Sequence, residues 1–174
     1  MKYYTLFFSV FLFFNLLFTN KSGASEKDSI VLTGLVFNNK DRVKNVVINI
    51  YNKNKLWKTV YVKSSNRFKT NLPLNETMTI EITAEKFYPK RFIFDTSVPN
   101  DLKSVPNYDF DIDIFSEKEL EGVNTSFLDF PVGIVTYDPK KKEFERDIKY
   151  TKKMKKAYLK LWEEAQTNDR ASFE

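Results

Sequence analysis

The sequence predicts an all-β fold: an antiparallel, seven-stranded β-sandwich followed by a C-terminal extended arm and one amphipathic helix. Three observations carry that expectation. Apolar residues recur with a period of two from about Ile30 to Phe115, no helical pattern separates the alternating runs, and clusters of Asn, Ser and Pro punctuate them at short intervals. A period of two places successive side chains on opposite faces of a strand, so each run offers one face to a core.

Ahead of that block, Met1-Lys2-Tyr3-Tyr4 supplies a short basic start, and Leu6 to Phe18 is nearly unbroken Phe, Leu and Val. Ser22-Gly23-Ala24-Ser25 then provides the small residues a signal peptidase cuts beside. The expectation is a signal peptide over residues 1–24 and an exported product, periplasmic or at the cell surface. The apolar run of 13 residues, interrupted by Ser9 and Asn15, falls short of the roughly 20 that span a bilayer. No transmembrane span is therefore expected after cleavage, and no Cys follows the run to carry a lipid.

Ile30 to Phe37 is apolar on both sides around Thr33 and Gly34 and ends in the turn Asn38-Asn39-Lys40-Asp41, as a strand packed between neighbours would. Val46, Ile48 and Ile50 alternate with Asn45, Val47 and Asn49 in a second, half-buried strand. Asn52-Lys53-Asn54 connects it by a hairpin to Leu56–Val62, with Leu56, Val60 and Val62 assigned to one face and Trp57, Thr59 and Tyr61 to the other. Ser64-Ser65-Asn66 turns the chain into Arg67–Leu72, and Pro73 and Asn75 break that strand. Met78, Ile80, Ile82 and Ala84 then alternate with Thr77, Thr79, Glu81 and Thr83, and Phe92 and Phe94 continue the pattern. After a polar connection, Tyr108, Phe110, Ile112 and Ile114 face one way and Asp109, Asp111 and Asp113 the other.

The order of these strands, with Arg67-Phe68-Lys69-Thr70-Asn71-Leu72-Pro73, Thr79-Ile80-Glu81-Ile82-Thr83 and Lys86-Phe87-Tyr88-Pro89-Lys90 at their places, resembles the carboxypeptidase regulatory-like domain. That domain is a transthyretin-like sandwich, related in architecture to Ig-like folds, common in exported proteins of the Bacteroidetes. The resemblance spans residues 25–115 and leaves 116–174 as an appendage. Asn66 and Phe87 stand where the family usually has glycine; Asn tolerates the left-handed conformation that such a glycine supplies. The resemblance implies a non-catalytic module, and a setting among outer-membrane, surface-secretion or gliding components.

Beyond Phe115, Phe127 to Tyr137 is apolar, broken by Pro131, and reads as an extended arm that adds a strand or packs across the sandwich. Asp138-Pro139-Lys140 is a turn. Asp147 is placed to cap a helix in which Tyr150, Met154, Tyr158, Leu161 and Ala165 form an apolar stripe, expected to dock on the chain's own sheet, with docking on another protein as the alternative. Charge concentrates there: residues 140–160 carry ten basic and three acidic side chains, a net of +7. Lys149, Lys152, Lys153, Lys156 and Lys160 thus make a basic helix face, the kind that is usually solvated and nothing more, with an acidic protein or another anionic surface as its candidate partner. Export argues against nucleic acid, and no aromatic set for base stacking interleaves that face.

With no His and no Cys in 174 residues, the usual zinc and copper centres, Ser-His-Asp triads and thiol nucleophiles are excluded. The carboxylates of Asp109, Asp111 and Asp113 are spaced about 7 Å apart along a strand and lack the tight Gly-containing loop of a calcium site. No metal, cofactor or catalytic residue is assigned. The expected function is that of an exported, non-catalytic interaction or accessory subunit with a protein partner. Its candidate binding residues are the five lysines with Phe127 and Phe130 of the arm. A carbohydrate-binding module using Trp57 and Tyr61 is the second reading, and a small hydrolase the third, disfavoured because so short a sandwich offers little cleft for a sugar ring.

Overall fold

The computed structural model of the chain describes residues 29–63 and 67–171. The expected signal peptide and the Ser64-Ser65-Asn66 turn lie outside the described residues. Two layers of strands and one long helix make up the described fold.

The first layer is organised on β1 (Ser29–Gly34) and β2 (Val36–Asn38), one path interrupted at Leu35. β3 (Asp41–Arg42) pairs antiparallel with β2, and β6 (Phe68–Pro73) pairs antiparallel with β1 from Ser29↔Pro73 to Gly34↔Phe68. On the other side run β9 (Tyr108–Asp109) and β10 (Ile112–Asp113), registered Leu32↔Tyr108 and Val36↔Ile112. These last pairings are parallel, and so the layer is mixed where an antiparallel one was expected. Gly34 sits where this parallel return crosses closest. A Cβ there would lie 1.9 Å from the Phe110 carbonyl oxygen and 2.8 Å from the Phe68 ring, a space only glycine leaves open.

The second layer has six strands in the order β12 (Glu143–Arg146), β11 (Ile134–Asp138), β8 (Lys90–Asp95), β7 (Thr77–Thr83), β4 (Val46–Asn52) and β5 (Lys55–Val62). It is antiparallel except that β11 runs parallel to β8, with Ile134 opposite Ile93. Twelve strands are thus described where seven were expected. The excess comes from breaks at Leu35 and between β9 and β10, from the short β3, and from the hairpin β11–β12 contributed by the arm. Parallel pairing needs crossovers of a dozen or more residues; residues 35–107 separate β1 from β9, and 96–133 separate β8 from β11.

Turn chemistry follows from a sequence with 4 glycines. The β4–β5 hairpin turns on Lys53 and Asn54, both at positive φ (47° and 64°), the signature of a two-residue type I′ turn whose twist matches the strands. Asn39, Asn45 and Asn75 take left-handed conformations at other corners. In the Lys86-Phe87-Tyr88 cassette the left-handed residue is Lys86 (φ 64°), so Phe87 carries no strain. Phe87 bridges to Ser116, and Tyr88 donates its backbone N–H to the Phe115 carbonyl (2.9 Å), tying the start of the arm to the sandwich.

The two layers share one core. Ile30, Leu32 and Leu72 of the first meet Ile48, Ile50, Met78, Ile80, Ile82 and Phe94 of the second, all fully buried. Complete burial of such side chains is worth about 1.5–3 kcal/mol each. Edge-to-face rings cross between layers, Phe92 with Phe110 at 4.7 Å and Phe94 with Tyr108 at 5.2 Å, the arrangement that ring quadrupoles favour. Val135 of β11 and Phe144 of β12 join this same core. A second, smaller cluster of Leu120, Leu128, Leu161 and Ala165, flanked by Tyr88, Phe115, Phe127 and Tyr158, lies beneath the helix.

Candidate functional site

Helix α1 (Ile148–Ala171) begins where Asp147 takes the N-cap role: its Oδ1 accepts the Tyr150 backbone N–H at 2.8 Å. From there the expected stripe turns inward. Met154, Leu161 and Ala165 are buried, Tyr158 packs against Phe115 and Phe127, and the Tyr150 hydroxyl donates to the Pro131 carbonyl (2.8 Å). The apolar stripe is therefore used within the chain. Lys149, Lys152, Lys153, Lys156 and Lys160 fall on the opposite side of the helix, all exposed, and none lies within ion-pair distance of a carboxylate among the described residues. Ile148, Leu159 and Trp162 are also exposed, beside this basic face. Among the described residues no helix is long and apolar enough to cross a membrane.

Two 3-10 turns, Lys118–Leu120 and Ser126–Asp129, seat the arm under α1. Glu119 accepts hydrogen bonds from the Ser116 N–H and hydroxyl and from the Asn38 and Asn39 side chains at 2.6–2.8 Å. Burial pushes its carboxyl pKa up, but these donors outweigh it and hold the group below its ordinary value. Arg91 joins the sheet to the second turn. Its Nε donates to Glu81 at 2.6 Å and its NH1 to the Asp129 carbonyl at 3.2 Å.

Where α1 crosses between β10 and the pair β8–β11, it roofs a cavity of about 240 Å³. Phe92, Phe110, Ile112, Val135 and Met154 form its apolar walls, and Lys90 and Arg146 bring positive charge into it. The Lys90 Nζ donates to the Asp113 carbonyl and stands 4.6 Å from the centre of the Tyr158 ring. Burial pushes its pKa down to about 8, with Asp113 opposing and Arg146 adding to the depression. Arg146 donates from Nε to the Tyr108 hydroxyl at 3.1 Å. Thr151 Oγ1 and the Tyr158 hydroxyl, both on lining residues, are buried without a hydrogen-bond partner, and burial raises the Tyr158 pKa.

None of these cavity residues was assigned to a binding site from the sequence, although parity carries a signal. Lys90 shares the inward parity of Phe92 and Phe94, and Arg146 that of Phe144. A cation at the inward position of a strand end either pairs or faces a cavity.

The other predicted positions are scattered. Trp57 and Tyr61 lie on β5, an edge strand, and are 46% and 80% exposed. A register break leaves Trp57 unpaired in a bulge and sets Leu56 opposite Tyr51. Leu56 therefore shares the outer face with Thr59 and Tyr61, and the assignment of Leu56 to the face of Val60 and Val62 is corrected. Phe127 is half-buried in the cluster beneath α1, whereas Phe130 is exposed. The acidic row is a strap between parallel strands: Asp109 accepts from the Thr33 hydroxyl (3.0 Å) and from Arg67, Asp111 from the Leu35 N–H (3.0 Å), and Asp113 from the Asn39 N–H (2.9 Å).

No family model and no curated protein matches the chain. Among solved structures, a catechol 1,2-dioxygenase from Acinetobacter sp. ADP1, inhibited by bound mercury, aligns with a TM-score of 0.39 at 8% identity. The alignment covers 55% of this chain and 55% of that one, and a likeness so distant carries no argument about function.

Proposed function

We propose that this chain is an exported, non-catalytic accessory subunit, periplasmic or at the cell surface, that docks on an acidic patch of a protein partner through the lysine face of α1. The observation that supports it is the division of labour on that helix. The apolar stripe is consumed by the chain's own arm and sandwich, and five unpaired lysines are presented on the other side. Fixed to a rigid body, such an array steers and orients an anionic partner. The sandwich is read as a carboxypeptidase regulatory-like module elaborated by the β11–β12 hairpin, in an outer-membrane or surface-secretion setting. Five of its acidic residues serve structure: Glu81 and Glu119 are held by donors from neighbouring strands and turns, and Asp109, Asp111 and Asp113 strap β9 and β10.

The test is crosslinking and affinity purification from the native cells of the mature chain and of a variant with Lys152, Lys153, Lys156 and Lys160 changed to Glu. The reading expects a defined acidic partner with the former and its loss with the latter at an unchanged unfolding midpoint. Retention of the same partner by the variant contradicts it. A second reading, glycan binding, is favoured by the exposure of Trp57, Tyr61 and Leu56 on one edge strand. For that reading Trp57→Ala must weaken glycan retention without changing stability.

A further inference from the structure

The cavity beneath α1 has a chemistry that neither the lysine face nor the β5 edge shares. Its walls are largely apolar, and three of its five charged groups, Lys90, Arg146 and Lys155, are cations that meet no carboxylate at ion-pair distance among the described residues. Asp111 and Asp113 border it, yet each carboxylate already accepts a backbone N–H, from Leu35 and from Asn39. Lys90 has three N–H donors and gives one to the Asp113 carbonyl; Arg146 gives Nε to Tyr108 and keeps its terminal nitrogens for another acceptor. Thr151 and Tyr158 also line the wall, and their buried hydroxyls lack hydrogen-bond partners.

We propose that this cavity binds a small organic carboxylate carrying one apolar ring, the carboxylate between Lys90 and Arg146 and the ring against Phe92, Phe110 and Met154. Size fits that class. A space of about 240 Å³ exceeds the roughly 150 Å³ that encloses benzene and leaves room for a short acid chain. Charge fits too, since an anion placed among Lys90, Arg146 and, at the rim, Lys155 replaces repulsion by attraction.

Ligand affinity depends on pH through Lys90. The groups facing it are Asp113 on β10, Arg146 on β12 and Tyr158 on α1, with Asp111 and Lys155 bordering the same space. Because Lys90 loses its proton near pH 8 in the empty protein, binding of the anion weakens as pH rises through that value.

Calorimetric titration of the mature chain with 3-phenylpropionate, and with its neutral amide, tests the proposal. The acid is expected to bind about tenfold or more tighter than the amide. Lys90→Met loses that margin while Lys103→Met, exposed in the 96–107 connection and away from the cavity, keeps it, and affinity for the acid is lower at pH 9 than at pH 7. Should Lys90→Met lose its circular dichroism signature, Arg146→Gln carries the same expectation. Equal affinity for acid and amide, an undiminished margin in the folded cavity variant, or no binding of either probe at millimolar concentration overturns the proposal.

Discussion

The sandwich core and the cluster beneath α1 hold the same chain by different means. Strand alternation builds the first: Met78, Ile80 and Ile82 point inward and Thr79 and Glu81 outward, and registered neighbours on both sides repeat the pattern. Irregular pieces build the second. Tyr88 leaves a turn, Leu120 and Leu128 come from single 3-10 turns, and Leu161 and Ala165 come from one helix face. The first is the larger and deeper, whereas the second is small and is flanked by polar clamps such as Glu119 and Arg91. The candidate site lies at their seam, where Lys90 of the first meets Tyr158 of the second.

Substitutions should separate the two regions by size of effect. Phe94→Ala, in the deepest layer, should cost about 3–5 kcal/mol in urea unfolding and act on the whole molecule. Leu161→Ala should cost about 2 kcal/mol, the lower end for such a change, and loosen α1 before the sheets. Equal and simultaneous loss of both regions in Leu161→Ala would merge them into one unit. Glu119→Gln should cost about 1 kcal/mol at neutral pH, since it trades charge-assisted hydrogen bonds for neutral ones. The folded pKa of Glu119 lies below its ordinary value, so its contribution is present above the ordinary glutamate range near pH 4.3 and is lost as pH falls through the folded value. The gap between wild type and variant, measured by thermal unfolding against pH, should close in acid. Charge reversal at Lys152, Lys153, Lys156 and Lys160 should leave stability nearly unchanged, because these side chains are exposed and unpaired.

The regions also differ in how far the sequence discloses them. Alternation in Thr77–Thr83 and Tyr108–Ile114 predicts which side chains are buried, and the arm's added strand and the Asp147 cap were legible from local chemistry. Strand direction was not. A period of two is the same in parallel and antiparallel pairs, so the Tyr108–Asp113 segment gives no sign that it runs alongside β1 and β2 in the same direction. The Trp57 bulge shifts Leu56 to the outer face by a register break that no residue type announces. Glu143–Arg146 has one buried side chain, Phe144, too few for a pattern. The cavity stayed hidden for a related reason: Lys90, Arg146, Thr151 and Tyr158 lie on three elements, and only tertiary packing brings them to one space.

The central claim is that α1 spends its apolar stripe on its own chain and turns its lysines outward. Native-state amide hydrogen exchange on the isolated chain tests it most directly. The account predicts that amides from Met154 to Leu161 are protected well beyond free-helix rates, yet open with less free energy than those of β4 and β7, which exchange through global unfolding. Exchange of the helix at the rate of an undocked peptide would contradict it, because the stripe would then be available to a partner and the lysine face would have no fixed orientation.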